Sequence, residues 1–244
     1  VTVVLSGDGG DELFGGYTFR YHKFLSKINQ NSTPLDKVKA YLDCHERDHV
    51  PDQEQLFGKN SDFSWNSIYS ILLPYFENNL SSLDQAFLAD FNGKLLFNFA
   101  VVNNSINDHY GIKYFTPLLS KELISYSTHL PNNFKYDNTG NIGKLPLREI
   151  LKQFSMSPFL NNNKIGFSVN TLNLWKKHGK KLCKDFLLDS NIEKDGWING
   201  NWITKHIENE QLDVRYVNKF FGLLAFEIWY RIFVTKELNK NTKL

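Results

Sequence analysis

The chain has 244 residues, 41% of them hydrophobic, and a formal net charge of +2. That is enough to bury one sizeable core, and nothing in the length demands two domains. The near-balanced charge argues against a nucleic-acid partner, which needs clustered Lys and Arg. The tightest basic cluster (Lys176, Lys177, Lys180, Lys181, Lys184) has helical spacing and reads as a solvated helix face. The two cysteines, Cys44 and Cys183, lie far apart and suit a reduced compartment, so the expected location is the cytoplasm. No signal peptide and no apolar run of bilayer length is present, so no membrane role is expected. The sequence opens on Val1 and enters a strand-like run at once, as in a piece of something longer.

In chain order, Thr2-Val3-Val4-Leu5 is β-branched and apolar, the pattern of a strand buried on both faces of a parallel sheet. It feeds into Ser6-Gly7-Asp8-Gly9-Gly10-Asp11-Glu12-Leu13-Phe14-Gly15-Gly16-Tyr17. The remainder reads as mostly helical, with helix-period apolar spacing near 35–46, 66–78, 82–104, 120–129, 144–154, 171–188, 201–210 and 214–236. The last of these is rich in aromatic residues and reads as a buried core helix. Asn- and Gly-rich breaks such as 131–133 and 137–141 separate the segments. Without an internal repeat or a low-complexity linker, a single continuous domain is expected.

The Gly-rich turn carries the chemistry. A strand ending in two or three carboxylates places them at the carboxyl edge of a sheet, where open α/β sheets bind ligands. Glycines let the backbone turn sharply and bring N–H groups close to phosphate oxygens. Asp8 and Asp11 offer hard oxygens suited to Mg2+, an ion normally shared with substrate phosphates. The plainer alternative is a tight turn in which Asp8 or Asp11 caps the next helix. Cys44-His45 with His49 lacks a fourth ligand and reads as a solvated helix.

Ser6 to Tyr17 resembles the Ser-Gly-Glu-Gly-x-Asp-Glu-x-Phe-Gly-Gly-Tyr signature of asparagine synthetases, with Asp8 where that family usually has Glu. Lys144-Leu145-Pro146-Leu147-Arg148-Glu149 resembles the family's Lys-x-x-Leu-Arg-Glu helix start, and Lys164-Ile165-Gly166-Phe167 its Lys-x-Gly-Phe loop. The resemblance covers nearly the whole chain and implies an α/β fold of the adenine-nucleotide α-hydrolase (PP-loop ATP pyrophosphatase) type. Of that synthetase domain the sequence would keep the last parallel strand and a mostly helical C-terminal part.

The same resemblance implies adenylation of a side-chain carboxylate by ATP with Mg2+, followed by attack of ammonia derived from glutamine. It makes Asp11 the Mg2+ ligand, and Ser6, Gly7, Gly9 and Glu12 the lining of the nucleotide and substrate edge. Asp8 takes the catalytic carboxylate's place, orienting substrate or accepting a proton, and Lys144, Arg148 and Lys164 are the cationic residues around the phosphates. The small-molecule partners are then ATP, aspartate or a related carboxylate, and ammonia, with a homodimer as a further expectation.

The departures are also specific. The family's Ser-Gly-Gly-x-Asp-Ser ATP loop and its glutaminase domain do not occur in this sequence, so the isolated chain is expected to be inactive. The Asp-Arg-x-Ser-Met segment is replaced around Asn103-Asn104-Ser105-Ile106, and Lys113, Phe115 and Ser120 stand where the family has Glu, Arg and Asp. Loss of a Glu and an Arg together suggests a lost ion pair and altered substrate recognition. His109 and Tyr110, close to the altered segment, are secondary candidates for substrate contact. Related amide-forming enzymes such as β-lactam synthetases and lasso-peptide cyclases vary in these places, and a non-catalytic scaffold is the other alternative.

Overall fold

The structure is a computed structural model that describes residues 1–45, 49–160, 170–239 and 241–242. Its contacts gather into two compact units, Val1–Cys44 with Tyr69–Gly166 and His45–Ile68 with Phe167–Leu244. The two units alternate along the chain.

In the first unit β1 (Val3–Leu5) leads through the Gly-rich turn into α1 (Gly10–Phe14). Then come α2 (Thr18–Lys27) and α3 (Pro34–Asp43). The start of α3 is fixed by a reciprocal cap: Thr33 accepts from the Asp36 N–H while the Asp36 side chain accepts from the Thr33 N–H, with Pro34 in the first turn. After α4 (Trp65–Leu72), whose residues up to Ile68 belong to the second unit, α5 (Ser82–Ala89) begins on a Ser81 cap and runs into a π-helical stretch, Asp90–Phe99, and on into α6 (Ala100–His109).

A short strand, β2 (Lys113–Phe115), pairs in parallel with β1 in the register Val3–Lys113, Val4–Tyr114, Leu5–Phe115. The unit closes with α7 (Lys121–His129), the antiparallel pair β3 (Tyr136–Asp137) and β4 (Ile142–Gly143), and α8 (Leu145–Gln153). Its core is aromatic: Tyr21, Phe24, Phe76, Phe87 and Tyr136 are buried together, with Tyr21 edge-on to Phe87 at 4.9 Å.

Two expectations need correction here. β1 is parallel, but it is not buried on both faces: Val3 is 46% exposed and Leu5 71%. Among the described residues its one strand neighbour is β2. Nor is it the last parallel strand, because β2 follows it. A Lys-Tyr-Phe triplet is too short to show period-2 alternation, and so it escaped a pattern search.

The second unit packs α9 (Thr171–Leu174), α10 (Lys180–Leu187), α11 (Asn191–Lys194), α12 (Gly200–Ile207) and α13 (Val214–Phe233) around Trp202, Ile203, Leu187, Val217 and Phe220. Buried Glu227 accepts from the backbone N–H groups of Asn191 and Ile192 at 2.9 and 3.1 Å, satisfying donors at the start of α11, and pairs with Arg231 at 2.5 Å. α13 is not buried all round: Val217, Phe220, Leu224 and Tyr230 face the core while Phe226, Trp229 and Phe233 are exposed. The lysine cluster of 176–184 lies on a solvated face, with Lys181 on Asp185 and Lys184 on Glu208 at 2.6 and 2.7 Å. Among the described residues no helix is long and apolar enough to cross a membrane.

Candidate functional site

The Gly-rich turn leaves the carboxyl end of β1 and ends as α1 begins. Gly9, the residue before α1, has φ 88, and a Cβ there would lie 2.3 Å from the Leu119 side chain. Both the handedness and the close approach demand glycine at this place. Gly7 is different: a Cβ on it would meet nothing within 4 Å. Packing does not require a glycine at 7, and its backbone is open to close approach by a ligand.

α1 has no side-chain cap, so neither Asp8 nor Asp11 plays the capping part that the plainer reading gave them. Asp8 is held by three donors instead. Its Oδ1 accepts from Ser6 Oγ at 2.8 Å, and its Oδ2 accepts from the Tyr114 hydroxyl and from Asn103 Nδ2 at 2.7 Å. Partial burial works to raise the Asp8 pKa, but the bonds from Tyr114, Ser6 and Asn103 outweigh it and hold the carboxyl below its usual value. Asp8 is therefore an anion at neutral pH, better suited to orienting a donor than to taking a proton from a weak acid.

Asp11 sits in the first turn of α1 and meets Lys144 Nζ at 3.0 Å. Lys144 precedes α8 with φ 60 and ψ 36, the left-handed region that residues with a Cβ rarely occupy. Its N–H donates to the Phe14 carbonyl at 2.7 Å, tying the start of α8 to the end of α1. A Cβ on Gly16 would fall 1.8 Å from Asp11 Oδ1 and 2.5 Å from Lys144 Cε, so glycine at 16 makes room for the pair. The carboxylate and the ammonium expected at the phosphates thus occur side by side.

The remaining expected residues are placed differently. Glu12 is buried, accepts from the Tyr17 hydroxyl at 2.5 Å, and lines a pocket of about 220 Å³ with Phe87, Ser127 and Lys135. Burial raises its pKa, opposed by the bond from Tyr17. Arg148 donates through Nε to the Gly143 carbonyl at 2.9 Å and lines a cavity of about 520 Å³ with Tyr126, Phe134 and Glu149. Lys164 lies outside the described residues. His109 and Tyr110 pack edge to face at 4.9 Å at the end of α6.

Of the departures, Lys113 and Phe115 are exposed, while Tyr114 between them turns the other way to Asp8. Ser120, where the family has Asp, caps α7 by accepting from the Leu123 N–H at 3.3 Å, a task that Asp performs equally well. The sequence marks Asn103 only as part of an altered segment and Tyr114 not at all, because their contact with Asp8 needs β2, and β2 was not foreseen.

The family model for asparagine synthase matches residues 1–231. The chain belongs to the asparagine synthase family. It is similar to the protein named asparagine synthetase [glutamine-hydrolyzing] 1 of Bacillus subtilis (strain 168), at 22% identity over an alignment of 265 positions, gaps included. That alignment covers 97% of this chain and 41% of the relative, so the chain spans less than half of that protein's length. No solved structure matches.

As a family member the chain calls for a test of its fit to Mg2+ and ATP. Among the described residues no group of three or more His, Cys, Asp or Glu side chains could cage a metal. One carboxylate beside one ammonium, at a turn with an open glycine, suits a Mg2+ whose other ligands are phosphate oxygens and water. The residues present fit that group.

Proposed function

We propose that this chain carries part of the synthetase site of an ATP-dependent amide-forming ligase, which adenylates a carboxylate and passes ammonia to it. The supporting observation is the pairing of Asp11 with Lys144 at 3.0 Å beside the turn that holds Asp8, in a chain of the asparagine synthase family. Adenylation expels pyrophosphate, so negative charge grows on the leaving oxygens and fixed cations nearby lower the barrier. Lys144 is that cation in this reading, and Lys164 is a second by its resemblance to the family's Lys-x-Gly-Phe loop. Asp11 would hold Mg2+ together with the phosphates, and the ion would supply further charge neutralisation there. Gly7 and Gly9 offer backbone N–H groups along the turn, Ser6 supports Asp8 through its hydroxyl, and Asp8 orients the incoming nitrogen.

The default acceptor is aspartate and the default nitrogen source is glutamine. The exposed Lys113 and Phe115, in place of Glu and Arg, favour a second reading with the same chemistry on another carboxylate. One experiment tests the first reading: the full protein, given ATP, aspartate and ammonium, should release AMP, pyrophosphate and asparagine. Lys144→Met should lower pyrophosphate release by about a hundredfold or more. No turnover with aspartate but ATP-dependent pyrophosphate release with another carboxylate would favour the second reading, and no release with any carboxylate offered would refute both.

A further inference from the structure

Three elements converge on one oxygen. Asp8 Oδ2 at the turn after β1 accepts from Asn103 Nδ2 in α6 at 2.7 Å and from the Tyr114 hydroxyl in β2. Asn103 Nδ2 also reaches the Tyr114 oxygen at 3.2 Å, so the two donors support each other. Asn103, Tyr114 and Asp8 are each partly buried, which keeps water from competing freely for these bonds.

A carboxylate on a short side chain turns readily about its last torsion. Two donors from separate elements fix its plane, and charge-assisted bonds of this kind are stronger than neutral ones. With Oδ2 occupied, Oδ1 remains, and among the described residues its side-chain partner is the Ser6 hydroxyl, which can rotate.

We propose that Tyr114 and Asn103 are positioning residues that lock the Asp8 carboxylate through Oδ2, leaving Oδ1 to accept a hydrogen from the amine nucleophile. The proposal rests on the ligase reading above. Neither residue touches substrate in it; each acts through Asp8. Tyr114 lies on the face of β2 opposite Lys113 and Phe115, so those two positions can vary without disturbing this support.

The test uses the full protein with ATP, aspartate and ammonium chloride as the amine. Tyr114→Phe and Asn103→Ala should each raise KM for ammonium by about tenfold, the effect of one lost positioning bond, while KM for ATP stays unchanged. Tyr114→Phe added to Asp8→Asn should be no worse than Asp8→Asn alone, because Tyr114 works through that carboxylate. An unchanged KM for ammonium, or effects that add, would overturn the proposal. A second readout does not need turnover: with 13C-labelled aspartate, the Asp8 carboxyl resonance should move in Tyr114→Phe. If the unsubstituted protein forms no amide, the ligase reading fails, yet the resonance still decides the lock: movement supports it and a fixed position overturns it.

Discussion

Lys144 shows how a single residue can be held against its own preference. A non-glycine residue at φ 60 and ψ 36 costs on the order of 1–3 kcal/mol and persists only where the surroundings over-determine it. The surroundings here are the Phe14 carbonyl on its N–H and the Asp11 carboxylate on its ammonium. That ion pair is partly exposed and contributes about 1 kcal/mol at most. Lys144→Gly should therefore leave the melting temperature unchanged or raise it, while abolishing ATP-dependent pyrophosphate release. A clear fall in melting temperature would show that the lysine is there for stability. Glu12 makes the opposite case, a carboxyl whose burial favours its neutral form. Its folded pKa lies above the unfolded one, so its contribution to stability is present below the usual carboxylate range and is lost as pH rises through the raised value. Wild-type protein should thus lose stability relative to Glu12→Gln as pH rises above the usual carboxylate range, which denaturant titration at several pH values would measure. A constant difference would place the titration elsewhere.

Among the elements, the junction of α5 and the π-helical stretch is held by Asp90. It accepts from Arg20 at 3.1 Å, from Tyr21 at 3.0 Å and from Tyr41 at 2.8 Å, and so joins the junction to α2 and α3. Asp90 is 1% exposed, and its charge helps keep Arg20 protonated against the cost of burial. Asp90→Ala leaves a buried guanidinium without that partner and should cost about 3–5 kcal/mol, read from chemical denaturation. A loss below 1 kcal/mol would mean that water replaces the carboxylate.

The helices were largely legible because apolar residues at helical spacing are a dense signal over ten residues. Thr33, Ser81 and Ser120 mark starts at 34, 82 and 121 within a residue or two of those expected. α2 was not foreseen, because Arg20, His22 and Lys23 interrupt the apolar period of Phe19, Tyr21 and Phe24. The candidate site was legible only as far as local sequence reaches. The turn from Ser6 to Asp11 announces itself, whereas Asn103 and Tyr114 come to Asp8 from 95 and 106 residues away. The pairing of Asp11 with Lys144, both singled out separately, likewise depends on the α1–α8 contact.

Across the whole molecule, each unit has its own core, and one cluster includes Trp202 and Phe220 with ring centroids 5.5 Å apart. Phe220 is fully buried against Trp175 as well, so Phe220→Ala should cost about 3–5 kcal/mol. Near-ultraviolet circular dichroism should register that loss, since two tryptophans border the cavity created. An unaltered spectrum and melting temperature would contradict the packing described.

The second unit is assembled from two distant stretches of chain. Asp52 meets His206 across 154 residues and Tyr216 across 164, and the Leu56 carbonyl accepts from Asn199. On a ribosome adding about 5–20 residues per second, Asp52 and Leu56 emerge on the order of ten seconds before the helices that bury them. Throughout that interval the segment around Val50 and Leu56 has no native apolar surface to dock on, and the closing loop must later be drawn in against its entropy. The nascent chain is therefore expected to recruit a holding chaperone at this stretch during synthesis, and to refold from denaturant more slowly than a helical protein of its size.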